Sequence, residues 1–265
     1  MDSLPVDTGA AGRLPFLAGL RLGLACLTRL PVPAPSLAEG MTLAGAMHLF
    51  PLVGGIIGAI AALVYGLAAA CLPPALAALL AVGASALVTG GLHEDGLSDV
   101  ADGFGGGRDR DRKLAIMKDS RIGSYGAIAL LLGLALRAGI LAELAHPGLV
   151  AATLIAQHAL GRAAIPVVMQ GLMPARAGGL GATAGQPSPS TAGIAATLAL
   201  VTAALVLPLA AAFPAAAGAA LATVAIGILA WRQIGGQTGD VLGATEQAAE
   251  IMVGLAIVAS LGGAS

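Results

Sequence analysis

Charge, aromatic side chains and cysteine are all scarce in this 265-residue chain, and each scarcity excludes a class of protein. Charged residues make up 10% and hydrophobic residues 57%, with a mean hydropathy of +0.91, which excludes an ordinary soluble domain. The net charge of −1 gives no basic excess to attract phosphate backbones, so we expect no nucleic-acid partner. The two cysteines, Cys26 and Cys71, lie far apart in apolar runs, without the spacing of a zinc or redox site.

Long apolar segments fill most of the sequence, and a membrane helix needs about 20 such residues. The chain therefore predicts an all-α, polytopic transmembrane bundle that forms a single integral membrane domain over residues 1–265. The seven predicted membrane helices are Leu43–Ala70, Ala75–Leu92, Gly123–Ala145, Leu149–Leu172, Ala192–Ala212, Ala215–Trp231 and Val241–Leu261. An eighth, shorter stretch, Phe16–Leu30, carries Arg21 and Arg29 and is typical of an interfacial helix.

The charges outside the apolar segments fall on alternate connections. Arg13, Arg21, Arg29, residues 93–121, Arg176 and the connection at 232–240 alternate with turns at 71–74, 146–148 and 212–215 that hold no charge. Because positive residues in short loops favour the cytoplasmic side, we expect a charged cytoplasmic loop at about 93–122 in a bacterial inner membrane.

Carboxylates open this charged loop. Of the 27 charged residues in the chain, 13 lie between His93 and Arg121. Asp95, Asp99 and Asp102 follow an i, i+4, i+7 spacing, which places all three on one face of a helix. Three stacked anions repel unless a cation neutralises them, and oxygen ligands favour Mg²⁺ or Mn²⁺ over zinc. His93, just before them, is a candidate proton acceptor. The alternative for the loop as a whole is a run of charges that is simply solvated.

A glycine run and a set of cations close the loop. Gly105, Gly106 and Gly107 expose backbone N–H groups. Carboxylate-bound Mg²⁺ beside arginine or lysine is the recurring arrangement for stabilising a transferring phosphoryl group. The candidate phosphate-binding residues here are Arg108, Lys118 and Arg121.

A few charges lie outside the loop. Arg137 and Arg162 fall near the middle of predicted helices, where a charged side chain needs a partner. Arg162 lies one turn from His158 and could be satisfied by a substrate anion or by a buried carboxylate. Asp240 either caps the last helix or completes the metal or nucleotide site, and Glu246 and Glu250 follow it at i, i+4 spacing.

One run of residues resembles a known family. The segment 90–126, GGLHEDGLSDVADGFGGGRDRDRKLAIMKDSRIGSYG, resembles the signature of cobalamin synthase, the adenosylcobinamide-GDP ribazoletransferase family. Further family-like segments occur in the expected order, so the likeness covers most of the chain. They are LTRLPVP at 27–33, FPLVG at 50–54, Gly161-Arg162 and QTGDVLGA at 237–244.

The resemblance implies the last joining step of cobalamin (vitamin B12) assembly. A ribose hydroxyl of α-ribazole or its 5′-phosphate attacks the cobinamide-linked phosphate of adenosylcobinamide-GDP and releases GMP. The aspartates would then hold Mg²⁺, His93 or a carboxylate would accept the hydroxyl proton, and Arg108, Lys118 and Arg121 would stabilise GMP, with Arg162 and Asp240 as further substrate contacts. The sequence leaves open whether the chain forms a homo-oligomer or associates with other cobalamin-assembly enzymes.

Two alternative functions were weighed. Another Mg²⁺-dependent membrane transferase acting on a diphosphate, such as a CDP-alcohol phosphotransferase or a polyprenyl transferase, needs Asp motifs that this chain lacks. A transporter would need its charges inside the bundle, and no pair of matching broken helices indicates inverted repeats.

Overall fold

The computed structural model describes residues 15–33 and 42–262, and the regular secondary structure in these ranges is helical, without a β-strand. Arg13, which contributes to the predicted orientation, lies outside the described residues. A 3-10 turn, Met47–Leu49, joins α2 to α3. The helices are α1 Phe16–Leu27, α2 Leu43–Ala46, α3 Phe50–Ala69, α4 Pro74–Thr89, α5 Leu92–Gly106, α6 Arg110–Ile116, α7 Ser124–Leu144, α8 Pro147–Gly171, α9 Leu180–Thr183, α10 Pro189–Val206, α11 Leu209–Ile234 and α12 Gly239–Gly262.

The predicted polytopic bundle is confirmed. Six spans in the described ranges are long and apolar enough to cross a membrane, from α2–α3 through α7, α8, α10, α11 and α12. The seventh predicted segment corresponds to α4, whose 16 residues extend only about 24 Å. The short helix α1 lies where the interfacial helix was predicted.

The turn predicted at 212–215 is wrong, because the chain turns between Val206 and Leu209 instead. Pro208 occupies the residue before α11, where its fixed φ and missing N–H suit a helix start. Pro214, which the sequence reading took as the turn, lies inside α11. The residues at the observed turn carry no charge either, so the alternation of charged and uncharged connections is unchanged.

The charged loop is largely helical, which corrects its description as a loop. Gly90 and Gly91 both adopt φ +69°, a left-handed conformation that glycine reaches without strain. They bend the chain by 91° between α4 and α5. The predicted helix through Asp95, Asp99 and Asp102 is confirmed, and it runs unbroken through Gly96 and Gly103.

Helices α8 and α12 occupy the middle of the bundle, where α8 packs against α3, α10 and α12. Gly58 of α3 lies so close to α8 that a Cβ there would be 2.5 Å from the carbonyl oxygen of Leu154. A Cβ on Gly54 would likewise overlap the carbonyl of His158. Such close backbone approach is how small residues pack helices in lipid.

Candidate active site at the start of α5 and α12

Two of the predicted carboxylates, Asp95 and Asp99, lie on α5 where it crosses the start of α12. Asp95 is exposed, Asp99 is half-buried, and neither side chain has a hydrogen-bond partner within the described ranges. The two helices touch through glycine, since a Cβ on Gly96 would be 2.8 Å from the carbonyl oxygen of Asp240. This contact brings the aspartates of α5 to the first turn of α12.

Asp240 joins the site from α12. Its Oδ2 accepts hydrogen bonds from Arg176 Nη2 and from Thr238 Oγ1, both at 3.2 Å. Thr238, and not Asp240, caps the helix, because Thr238 Oγ1 accepts from the Val241 backbone N–H at 3.3 Å. The capping role considered for Asp240 is therefore filled by Thr238, and the role of Asp240 in a metal or nucleotide site stays a prediction.

Electrostatics link these carboxylates into one cluster. Partial burial and the negative charges of Asp95, Asp240 and Asp102 raise the pKa of Asp99 to about 7, against the opposing effect of Arg176. A carboxyl that is this reluctant to ionise is typical of an anionic cluster that lacks a neutralising cation.

Asp102 has a different environment from the other two aspartates of α5. It is buried, and its two oxygens accept hydrogen bonds from the backbone N–H groups of Gly123 at 2.7 Å and Gly126 at 2.8 Å. These donors lie at the start of α7, where the first N–H groups of a helix have no partner within the helix. Asp102 therefore differs from Asp95 and Asp99 in having both oxygens hydrogen-bonded, and the prediction that all three aspartates hold the metal stays a prediction.

The arginines and lysines that follow the glycine run fall into two groups: those whose side chains have hydrogen-bond or ion-pair partners, and those whose side chains have none among the described residues. Arg110 Nε donates to the carbonyl of Ile234 at 3.0 Å, and Lys113 donates to Gln233, so both hold α6 against the end of α11. Arg121 is exposed and paired with Asp119, which lowers the pKa of that aspartate to about 2. The other two candidate phosphate-binding residues, Arg108 and Lys118, are exposed, and their side chains have no ion pair or hydrogen bond in the described ranges.

A cavity of about 170 Å³ opens beside the carboxylates. Its polar wall includes His93, Asp95, Arg176 and Asp240, and membrane helices supply the opposite, apolar wall. His93 is 3% exposed, so the cavity is its route to a substrate.

Arg162 is not available to a substrate in this structure, because it is 1% exposed and held by buried groups. Its Nη1 lies 2.6 Å from Glu246 Oε1, 2.8 Å from Glu250 Oε1 and 2.9 Å from His158 Nδ1. The buried-carboxylate alternative for Arg162 is therefore the one observed. The guanidinium lies among these three potential metal ligands, and Arg162 together with Arg137, which binds Glu250, supplies the positive charge that opposes the two carboxylates.

Arg137 extends the same buried network towards α5. Its guanidinium binds Glu94 at 2.8 Å, Glu250 at 2.9 Å and the Ser85 hydroxyl at 3.0 Å. His93 Nδ1 lies 3.4 Å from Glu246 Oε2 and connects the network to the cavity. These groups fix α5 against α7 and α12, so the network positions the carboxylates of the site.

The family described as cobalamin-5-phosphate synthase matches residues 19–258. The chain belongs to this family. Curated relatives agree: a protein of Bradyrhizobium diazoefficiens named adenosylcobinamide-GDP ribazoletransferase is 45% identical over 238 residues, covering 89% of this chain and 92% of the relative. A protein of the same name from Mesorhizobium japonicum is 44% identical over 246 residues, covering 90% and 92%. No solved structure matches the chain.

Sequence reasoning missed part of the site of this family member. The linker 174–190 offered no motif, yet Arg176, Gly178 and Gly179 line the cavity. A backbone N–H···O bond from Gln237 to Met173 and another from Ala175 to Gln237 hold this linker beside the start of α12. The one available signal was that Arg176 lies on the same predicted side of the membrane as the charged loop.

Proposed function

We propose that this protein is an adenosylcobinamide-GDP ribazoletransferase that joins adenosylcobinamide-GDP to α-ribazole or α-ribazole 5′-phosphate. The observation that carries the proposal is the convergence of Asp95, Asp240 and Arg176 around one cavity, with Asp99 linked to them electrostatically, in a chain that belongs to the cobalamin-5-phosphate synthase family. Such a mixture of carboxylates and cation suits a diphosphate substrate whose charge changes during reaction.

The reaction is a phosphoryl transfer. A ribose hydroxyl oxygen forms a bond to the cobinamide-linked phosphorus, and the bond from that phosphorus to the bridging oxygen of the diphosphate breaks. GMP leaves with the electron pair, and the hydroxyl proton passes to His93 or to a carboxylate of the site. We expect Arg108, Lys118 and Arg121 to bind the departing GMP, because their exposed side chains follow α5 along the charged segment.

A divalent ion, Mg²⁺ or in its place Mn²⁺, fits the residues present. Asp95 and Asp99 offer unpaired carboxylates in a cluster whose mutual repulsion raises the pKa of Asp99, and Mg²⁺ is usually held by one or two carboxylates plus substrate phosphates. When bound, the ion neutralises diphosphate charge as the leaving group departs. Asp102 then acts by holding the start of α7 beside α5.

We place the protein in the bacterial inner membrane with the charged face, including α5 and α6, towards the cytoplasm. The positive charges of Arg108, Arg110 and Arg112 and their neighbours favour that side. A cytoplasmic site also gives a phosphorylated or charged substrate access without crossing the bilayer.

The test is GMP release by the purified protein in lipid vesicles supplied with adenosylcobinamide-GDP and α-ribazole. We expect release that needs Mg²⁺ and falls at least about 100-fold in Asp99→Asn, within the range for removing an electrostatic contributor to catalysis. Asp111→Asn is the matched control, because Asp111 is exposed on α6 and pairs only with Arg110. Undiminished turnover by Asp99→Asn would remove that residue from the mechanism, and absence of GMP from the wild-type protein would overturn the proposed function.

A further inference from the structure

The cavity beside the carboxylates has one wall made of apolar side chains. These side chains come from α1, the 3-10 turn, α3, α8 and α12, which meet on this side of the bundle. They include Leu27, Met47, Phe50, Ile165, Met169 and Leu242. These six side chains carry no ionisable group, so the wall suits the part of a substrate that carries no charge.

The polar wall holds an unsatisfied acceptor. Gln237 is 2% exposed and lines the cavity, its Nε2 donates to the carbonyl of Gly181 at 2.9 Å, and its Oε1 has no partner. A buried acceptor without a donor costs free energy. A hydroxyl on a bound ligand would remove this cost.

Size and polarity discriminate among the parts of the two substrates. A cavity of about 150 Å³ takes up benzene, and this one measures about 170 Å³. The corrin macrocycle is several times too large. Against the apolar wall, guanine would bury a row of donors and acceptors without partners, and phosphate would bury its charge. A flat, weakly polar aromatic base matches both the volume and the lining.

We propose that this cavity is the subsite for the aromatic base of the ribazole substrate, and that its apolar wall determines which base is accepted. The assignment rests on the proposed function. With the base against Met47 and Met169, the attached ribose lies at the polar wall, where Gln237 Oε1 accepts from a hydroxyl. The attacking hydroxyl is then delivered to Asp95 and Asp240, which line the same cavity.

Two substitutions change the size of the cavity in opposite directions. Ala184→Leu adds three carbon atoms at a buried lining position, and Met169→Ala removes three heavy atoms from the apolar wall. Met252→Ala is the matched control, because it makes the same chemical change on α12 at a residue that does not line the cavity. Thermal midpoints of all three verify that they fold.

The measurements are kcat and KM for α-ribazole and for ribonucleosides of imidazole, a smaller base, and naphthimidazole, a larger one. We expect Ala184→Leu to raise KM for α-ribazole at least about 10-fold, since one methylene in a pocket changes substrate discrimination by about 10–200-fold. The kcat for α-ribazole and the kinetic constants for the imidazole nucleoside should change little. Met169→Ala should raise kcat/KM for the naphthimidazole nucleoside, relative to kcat/KM for α-ribazole, at least about 10-fold. Met252→Ala should leave unchanged both KM for α-ribazole and the relative kcat/KM of the naphthimidazole nucleoside.

Equilibrium dialysis with labelled α-ribazole, without the second substrate, separates this inference from the proposed function. Ribazole binding that Ala184→Leu weakens, without GMP release by the wild-type protein, overturns the transferase and supports the base subsite. GMP release with base preferences that neither cavity variant alters overturns the subsite and leaves the transferase intact. A wild-type protein that neither binds ribazole nor releases GMP overturns both.

Discussion

Arg137 shows how a charge is accommodated inside an apolar bundle. It is 2% exposed, and its guanidinium binds two carboxylates, the Ser85 hydroxyl and the Gln247 side-chain oxygen at 3.2 Å. The planar fork of an arginine reaches several partners at once, which a lysine ammonium cannot reproduce with the same geometry. The intramembrane arginines are therefore part of what holds the helices in place.

Arg137→Met tests this role. The substitution leaves Glu94 and Glu250 without their shared cation, and breaking a buried pair in this way costs about 3–5 kcal/mol. We expect a lowered thermal midpoint in detergent micelles, with a smaller loss for Arg137→Lys. Arg232→Met, at an exposed position near the end of α11, should leave the midpoint unchanged. Equal midpoints for Arg137→Met and the wild type would show that the network contributes nothing.

Asp99 predicts a pH dependence of stability in the chelated, metal-free protein. Its pKa is raised to about 7 in the folded state from an ordinary 3.8, so the folded state binds this proton more tightly. That stability is fully present below about pH 4 and is lost as pH rises through 7. Asp99→Asn removes this pH dependence, because asparagine does not ionise. Solvent screening at this half-buried site limits the resulting increase in the free energy of unfolding above pH 7 to about 1–2 kcal/mol.

The measurement is the thermal midpoint of wild type and Asp99→Asn in chelator at pH 5 and pH 8. We expect the thermal midpoint of Asp99→Asn to exceed that of the wild type by more at pH 8 than at pH 5. Asp111→Asn should show no such pH-dependent difference in midpoint. A gap of the same size at both pH values would contradict the raised pKa.

Among the elements, α5 and α12 define the site, because their glycine contact sets the distance between Asp95 and Asp240. Gly96→Ala would place a Cβ 2.8 Å from the Asp240 carbonyl oxygen and 3.1 Å from the Gly243 Cα, which are backbone atoms that cannot yield locally. The helices must then separate, and we expect GMP release to fall at least about 10-fold, since small misplacements of catalytic groups have costs of this order or more.

Gly139→Ala on α7 is the control for this experiment, because a Cβ there meets no atom within 4 Å. Alanine stabilises a helix relative to glycine by about 1 kcal/mol, so this variant should be active and equally or more stable. Wild-type activity in Gly96→Ala would show that the close contact of α5 and α12 is dispensable.

The elements also show where sequence reasoning succeeds. The apolar segments predict the bundle because each membrane span must satisfy its own backbone hydrogen bonds, and the i, i+4, i+7 spacing predicts α5. The turn at Val206–Leu209 was misplaced because Pro208 and Pro214 look alike in sequence, and only packing determines which one starts a helix. Pairs such as Arg137–Glu250 and the approach of Arg176 to Asp240 join residues more than 60 positions apart, so tertiary contacts alone reveal them.

At the scale of the whole molecule, charge separates the two faces of the bundle. The site, α5, α6 and the start of α12 lie on the charged face, and the α3–α4 turn, with the exposed Cys71, falls among the uncharged connections of the opposite face. In Cys26→Ser protein, we expect a membrane-impermeant maleimide to label Cys71 only from the outside of right-side-out vesicles. In a Cys26→Ser, Cys71→Ser background, Asp111→Cys should be labelled only in inverted vesicles, and the reverse pattern would invert our topology.

The buried network around Arg162 has a consequence for how the chain is made. A charge in the middle of a membrane helix raises the free energy of insertion by about 2.5–3.5 kcal/mol. Arg162 enters with α8, whereas its carboxylate partners, Glu246 and Glu250, belong to α12, which is synthesised later. Until α12 inserts, this arginine lacks both carboxylates, so a bundle interrupted before α12 contains an uncompensated positive charge within the membrane.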